Sequence, residues 1–270
     1  MGVGHKDSGE PVFWYRPPAP RLAALVSGIF GYREYGEAMN GLVEAASLTV
    51  PLIVNFGSPF RIGLGRKPTA LDSHDSFAAG LFAGPIIMDS DGAAQCIQIN
   101  FTPLGGRLFF ARPMSEFTDR MVALDDLEDR DVGRFAQHLG ELNAWEARLD
   151  LAEHFVETRL TQADHARADI GWAFSELMRK GGAVRVGALA RHLEWSRRRL
   201  IAGFREEIGL PPKAVARIIR FNAAQALAAS STAAGWADIA AACGYADQAH
   251  LTREFAALAG CPPTAWRPAA

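Results

Sequence analysis

Two short stretches of this chain carry side chains suited to reading the edges of nucleic-acid bases. In the first, Ser196 precedes Arg197, Arg198 and Arg199, with Arg205 further along. In the second, Asp247 precedes Gln248, Ala249, Thr252 and Arg253. Arginine can hydrogen-bond guanine through two donors, and glutamine can do the same to adenine. Backbone amides at a capped helix start can in addition hold a phosphate. Three arginines in a row ordinarily mean a solvated helix face. Here they directly follow a cap residue, and the arrangement occurs twice.

Bond-making chemistry finds no comparable set. His74-Asp75 pairs a histidine with a carboxylate, but a clustered His-x-His with a further Glu and a later His is missing, and His5, His138, His154 and His165 are scattered. Gly63 and Gly65 resemble half of a phosphate loop without the GK[ST] or complete GxGxxG that would finish it, and they fit a hairpin turn. The serines lack a GxSxG elbow, and no cysteine has an evident His partner. Cys96, Cys243 and Cys261 form no CxxC pair, so buried reduced thiols are expected instead of disulfides or a zinc finger. No catalytic residue, metal or cofactor is expected, and the chain reads as a non-enzyme.

The elements that position these residues emerge from a duplication. Adding 51 to each number carries Ser196 onto Asp247, Leu200 onto Leu251, Phe204 onto Phe255, Gly209 onto Gly260 and Pro211-Pro212 onto Pro262-Pro263. Upstream, Leu189-Ala190 and Ile239-Ala240 match at an offset of 50, so the second copy needs one extra residue in the turn. In the first copy Val186, Leu189, Ala190 and Leu193 give a short helix one apolar face. Ser196 caps the next helix, whose Leu200 and Phe204 point inward, and Gly209 with the prolines ends it. In the second copy Ile239, Ala240 and Cys243 form the first helix, Gly244 allows the turn, Asp247 caps, and Leu251 and Phe255 are the inner face. Two helices joined by a tight turn place the second in a major groove.

Between the copies, Lys213 to Ser230 reads as a rigid connecting helix with Val215, Ile218, Ile219, Ala223, Ala226 and Leu227 on one side. It would set the two reading helices about 34 Å apart, in successive major grooves on one face of the duplex.

The amino-terminal half has a different texture. Ser47 to Phe56, Phe60 to Leu64, Phe77 to Phe82 and Cys96 to Phe101 are short apolar stretches broken by Gly and Pro, which predicts strands in a small barrel or sandwich. In the last of them Cys96, Gln98 and Asn100 alternate with Ile97, Ile99 and Phe101, giving one wet face. From Pro113 onward the pattern is helical, and Trp145, Leu149, Ala152, Phe155, Val156 and Leu160 form a stripe that suits a dimer face or burial in its own domain. Thr161 to Asp169 is polar and reads as a linker. Phe13, Trp14, Tyr15, Phe56, Phe60, Phe77 and Phe82 suit either an effector pocket or plain core.

Charge divides along the same line. From Gly171 to Ala270 there are 13 Lys and Arg against 7 Asp and Glu, a net of +6, which leaves 15 against 23 before it, a net of −8. A basic end on an acidic body points to nucleic acid at one end. No uninterrupted run of about 18 apolar residues occurs. The start MGVGHKDSGE lacks a secretory pattern, so a cytoplasmic protein without membrane contact is expected.

The stretch from Asp238 to Arg267, DIAAACGYADQAHLTREFAALAGCPPTAWR, resembles the carboxy-terminal signature of the AraC/XylS family of bacterial transcription regulators. The resemblance covers roughly the last hundred residues and implies a monomeric seven-helix module with two reading helices. In it Arg198 corresponds to a base-reading site, and Gln248, Thr252 and Arg253 fall in the second reader. Many members carry a basic residue where this chain has Ala202, which shifts base contacts here toward Arg197 and Arg198. For the amino-terminal part the family implies a sensing or dimerisation domain, often cupin-like.

The expected fold is α+β. Residues 1–165 would be a strand-rich, then helical, sensor or dimerisation domain with a cupin-like barrel. Residues 171–268 would be an all-α DNA-binding domain with helix-turn-helix units at about 186–208 and 236–259. The expected function is sequence-specific transcription regulation controlled by a small-molecule effector. Two alternatives stand beside it: a ligand-independent regulator whose amino-terminal domain binds protein partners only, and an enzyme with a structural helical domain. The partners in view are double-stranded DNA, a small-molecule effector, RNA polymerase and a second copy of the chain.

Overall fold

The computed structural model describes residues 11–163, 167–230 and 235–266. The beginning of the chain, part of the 161–169 stretch, and Arg267 with the residues after it lie outside the described residues. In chain order the strands are β1 Val12–Arg16, β2 Val26–Arg33, β3 Met39–Glu44, β4 Val50–Asn55, β5 Phe60–Leu64, β6 Ser73–His74, β7 Phe77–Ala79, β8 Ile86–Ser90, β9 Gln95–Phe101 and β10 Met121–Ala123. The helices are α1 Pro103–Phe110, α2 Arg130–Glu141, α3 Trp145–Gln162, α4 Ala168–Arg179, α5 Val186–His192, α6 Arg197–Glu207, α7 Pro212–Ala229, α8 Trp236–Ala242 and α9 Gln248–Ala259.

Among the described residues the strands form two antiparallel sheets, one of six strands in the order β1-β2-β9-β4-β7-β10 and one of four in the order β3-β8-β5-β6. Of the barrel and the sandwich, the strands thus make the open, two-sheet arrangement, with no closed cupin-like barrel. Alternation along the central strands explains the layering. Leu52, Val54, Ile97, Ile99 and Phe101 face one way, into a core shared with Phe109 of α1 and Leu149, Ala152 and Val156 of α3. Ile53, Phe77 and Cys96 face the other way, onto Phe60 and Ile62 of the four-stranded sheet. The face of β9 expected to be wet is therefore largely covered: Cys96 is buried, and Gln98 and Asn100 are half-buried with a side-chain hydrogen bond of 2.9 Å between them.

Helix α1 starts before Pro113 and β10 follows it, so the change of texture along the chain is less abrupt than the sequence pattern suggests. Thr102 caps α1, its hydroxyl accepting from the Gly105 amide at 3.1 Å. Gly105 is required by packing, since a Cβ there would lie 1.8 Å from the Leu25 carbonyl oxygen. Within its own half, the α3 stripe buries Leu149, Ala152, Val156 and Leu160, while half-buried Trp145 stacks on Trp14 of β1 at 4.1 Å and half-buried Phe155 on Phe135 of α2 at 4.2 Å. The aromatics weighed as a pocket lining do not share one environment. Phe60 and Phe77 are buried between the sheets, whereas Phe13 and Tyr15 are 65% and 57% exposed.

The carboxy-terminal helices continue the main core through Phe174, Leu189, Leu200, Phe204, Ile218, Phe221, Leu251 and Phe255. Among the described residues they number six, from α4 to α9, instead of seven. From Gly260 to Trp266 the backbone makes bends and turns, with the Trp266 amide donating to the Pro262 carbonyl at 3.2 Å. The inward face of α7 also departs from expectation. Val215, Ile218 and Ile219 are buried, but so are Phe221 and Ala224, while Ala226 is exposed and Leu227 is 42% exposed. Midway along, α7 meets the amino-terminal half: Asn222 Nδ2 donates to the Ala46 carbonyl at 3.0 Å, and the Ala46 amide donates to the Leu258 carbonyl at 2.9 Å. The helix is buried by two bodies, so a single stripe does not describe it. No described helix is long and apolar enough to cross a membrane.

Candidate nucleic-acid interface

The two copies fold as the same unit. After α5 the backbone passes through Glu194 at φ 53° and the Trp195 amide donates to Ala190 at 2.8 Å. After α8 it passes through Gly244 at φ 73° and the Tyr245 amide donates to Ala240 at 2.9 Å. These positions still match at an offset of 50. The caps match at 51: Ser196 Oγ accepts from the Arg199 amide at 3.2 Å, and Asp247 Oδ1 from the His250 amide at 2.6 Å. The extra residue of the second copy is therefore Ala246, and its amide reaches the His250 Nδ1 at 3.5 Å. Leu200, Phe204, Leu251 and Phe255 are fully buried, as the spacing requires.

This packing turns the other face of each second helix outward. Ser196, Arg197, Arg198, Arg199, Ala202 and Arg205 are exposed on α6 and its cap. On α9, Asp247, Gln248, Ala249 and Arg253 are exposed, and Thr252 is half-buried at the margin. Neither helix has an acidic residue in its first turn. The positive end of the α6 dipole is thus open to an external anion, whereas that of α9 already faces the Asp247 carboxylate.

The arginines of α6 have separate surroundings. Arg199 lies over the Trp195 ring at 4.1 Å, where Arg167 also approaches at 5.2 Å. Arg197 lies against the start of α5, where a Cβ at Gly187 would meet its Nη2 at 2.9 Å. Arg198 has no ion pair among the described residues. Of the three, Arg198 is the one whose guanidinium is uncommitted to a neighbouring ring or backbone.

Sequence reasoning missed the residues that brace the second reader. Glu254 on α9 accepts from Arg217 Nε at 2.9 Å and Arg220 Nη2 at 3.3 Å on α7, and lies 3.4 Å from His250 Nε2. The i,i+4 spacing of His250 and Glu254 is a local signal, but the arginines come from a distant helix. Burial pushes the Tyr245 phenol beside them up to about 12. Trp172 of α4 stacks on His192 of α5 at 3.9 Å, a contact equally without local signature.

Residues 189–269 match the family model described as a helix-turn-helix domain. No curated protein matches the chain by sequence. Among solved structures, ToxT from Vibrio cholerae is similar at 10% identity and TM-score 0.45, covering 94% of this chain and 96% of that one. The unsaturated-fatty-acid-bound form of wild-type ToxT from Vibrio cholerae strain SCE256 is similar at 10% identity and TM-score 0.43, with 84% and 91% covered. The AraC-like transcriptional activator CuxR is similar at 12% identity and TM-score 0.26, with 72% and 79% covered.

Proposed function

We propose that this chain is a DNA-binding transcription regulator of the AraC type, its helix-turn-helix match over residues 189–269 lying in the part that reads a bipartite duplex site with α6 and α9 while residues 1–165 govern that engagement. The observation that carries this reading is the repetition of one geometry: two capped helices after equivalent turns, each with a buried apolar face and an outward polar one. In this reading Arg198 contacts bases in one half of the site, and Gln248, Ala249, Thr252 and Arg253 face the other half. Ser196 and Asp247 hold the helix starts against phosphates, with Arg197 and Arg199 alongside. Residues 171–268 are the DNA-binding domain, at work in the cytoplasm.

Control by a small molecule would act through the contacts between the halves. An effector that favours one arrangement changes how often both readers engage together, by no more than its differential affinity for the two arrangements. RNA polymerase and a second copy of the chain are the macromolecular partners of this scheme. A second reading, regulation by protein partners alone, is favoured by one specific observation: the amino-terminal aromatics are split, with Phe60 and Phe77 buried between the sheets and Phe13 and Tyr15 on the exposed surface.

Selection of full-length protein against random duplexes at two salt concentrations tests the DNA reading. Recovery of two conserved blocks about one helical turn apart is the expected result. No enrichment at either concentration would remove it. Thermal shift against a metabolite panel separates the two modes of control: reproducible stabilisation by a small molecule supports an effector, and a uniform blank favours protein partners.

A further inference from the structure

Beside the start of α6 lies a cleft of about 370 Å³ that base reading does not use. It is lined by Gly182, Val184, Arg185, Val186 and Gly187 ahead of and within α5, by Arg197, and by Lys213, Ala216 and Arg220 of α7. Four of these nine residues are cationic and none is acidic. Glu254 accepts from Arg220 Nη2 at 3.3 Å and is shared with Arg217. Arg220 Nη1 donates to the Gly182 carbonyl at 3.2 Å, which fixes the guanidinium in place. Its Nε is buried and has no hydrogen-bond partner among the described residues. Gly182 sits so close to α7 that a Cβ would meet the Ala216 carbonyl oxygen at 2.4 Å, so the loop carrying Arg185 is pinned to the helix carrying Lys213.

Like charges gathered on a pinned backbone repel one another unless an anion joins them. A tetrahedral oxyanion relieves this repulsion, because its several oxygens accept from guanidinium forks and ammonium groups at once. We propose that this cleft is a phosphate-binding site formed by Arg185, Arg197, Lys213 and Arg220. The phosphate has two sources of the same chemistry: the DNA backbone flanking α6, or a phosphorylated small molecule. The first deepens the DNA reading above and rests on it. The second stands without it.

The test uses the full-length protein, the double variant Arg185→Gln/Lys213→Gln, and a charge-matched control, Lys67→Gln/Arg134→Gln, far from the cleft in sequence. All four substituted residues are exposed, so folding is checked by thermal melting and is expected to be unchanged. Inorganic phosphate is titrated calorimetrically, and affinity for a random duplex is measured between about 50 and 200 mM salt. A DNA source predicts that the cleft variant, and not the control, loses about 0.9 from the slope of log affinity against log salt, one phosphate's worth. A small-molecule source predicts saturable phosphate binding by the wild type, at least tenfold weaker in the cleft variant, with the slope unchanged. If the cleft variant matches the control in both measurements, the proposal is overturned. Should the wild type bind no duplex at all, the DNA reading fails and the phosphate titration alone decides the cleft.

Discussion

Arg107 on α1 donates through Nε to the Glu207 carboxylate at the end of α6, 3.3 Å away, and Glu207 is only 1% exposed. Nearby, Thr118 Oγ1 donates to the Gly209 carbonyl at 2.9 Å. The far end of the first reading helix is thus fastened to the amino-terminal half, while its capped end stays open. Any signal from residues 1–165 has a direct mechanical route to that helix.

Arg107→Ala leaves Glu207 buried without its ion partner and should cost about 1–3 kcal/mol of stability, read from urea unfolding. Glu207→Gln keeps a polar group of the same size and should cost less. The double variant should fall short of the sum of the two losses, and strict additivity would show that the pair does not interact.

The two turns make opposite predictions. Glu194 holds a left-handed conformation at φ 53° that glycine adopts without steric cost, so Glu194→Gly should stabilise by about 0.5–1 kcal/mol. Gly244 occupies the equivalent position at φ 73° with no atom within 4 Å of a built Cβ. Gly244→Ala should therefore destabilise by about 1 kcal/mol through backbone strain alone. Paired melting curves check both signs.

On DNA, the three arginines of α6 should separate. Arg198→Ala should weaken the selected site by about 1–3 kcal/mol and relax preference in one half of it. Arg197→Ala should weaken all duplexes alike and lower the salt slope, as expected for a phosphate contact. Competition binding with matched and mutated sites distinguishes them. Equal loss of specificity from both changes would contradict the separation seen at Gly187.

Asp129 caps α2 and pairs with Arg159 of α3. Burial works against its charge, but the Arg159 guanidinium and the Val132 and Asp131 amides outweigh it and hold the carboxyl below its ordinary value. A lowered folded value means that the stabilisation is present above the unfolded value of about 3.9 and is lost as pH falls through the folded one. Asp129→Asn should lower the urea midpoint at neutral pH and flatten its fall below about pH 4. An unchanged acid limb would refute this.

Burial, with the Glu34 carboxylate adding to it, pushes the Cys96 thiol up to about 12, and burial also raises Cys243. Both should resist a thiol reagent at pH 8 until denaturant is added, whereas half-buried Cys261 should react first. Because the folded value of Cys96 is raised, its contribution is complete below the unfolded value of about 8.5 and falls away as pH rises toward about 12. Cys96→Ala should remove that part of the alkaline destabilisation.

The sequence alone determined the carboxy-terminal units. Helix caps, the four buried Leu and Phe positions and the terminating glycines all act within one or two turns, so residue type and spacing carry the whole instruction. The need for one extra residue in the second turn was legible in the same way, and the hydrogen bonds then identified it as Ala246. Strands β4, β5, β7 and β9 were legible because apolar side chains dominate them. Strands β1, β2, β3 and β8 were not, because glycines, aromatics and polar residues there make sense only beside a partner strand, and β10 is three residues long, too short for a period to show. Tertiary structure decided the rest. It turned Arg197 toward Gly187, gave α7 a second buried side against Ala46, and gathered Arg185, Lys213 and Arg220 into one cleft. These contacts join residues far apart in the chain, where distance and direction are set by packing and local pattern carries no information about them.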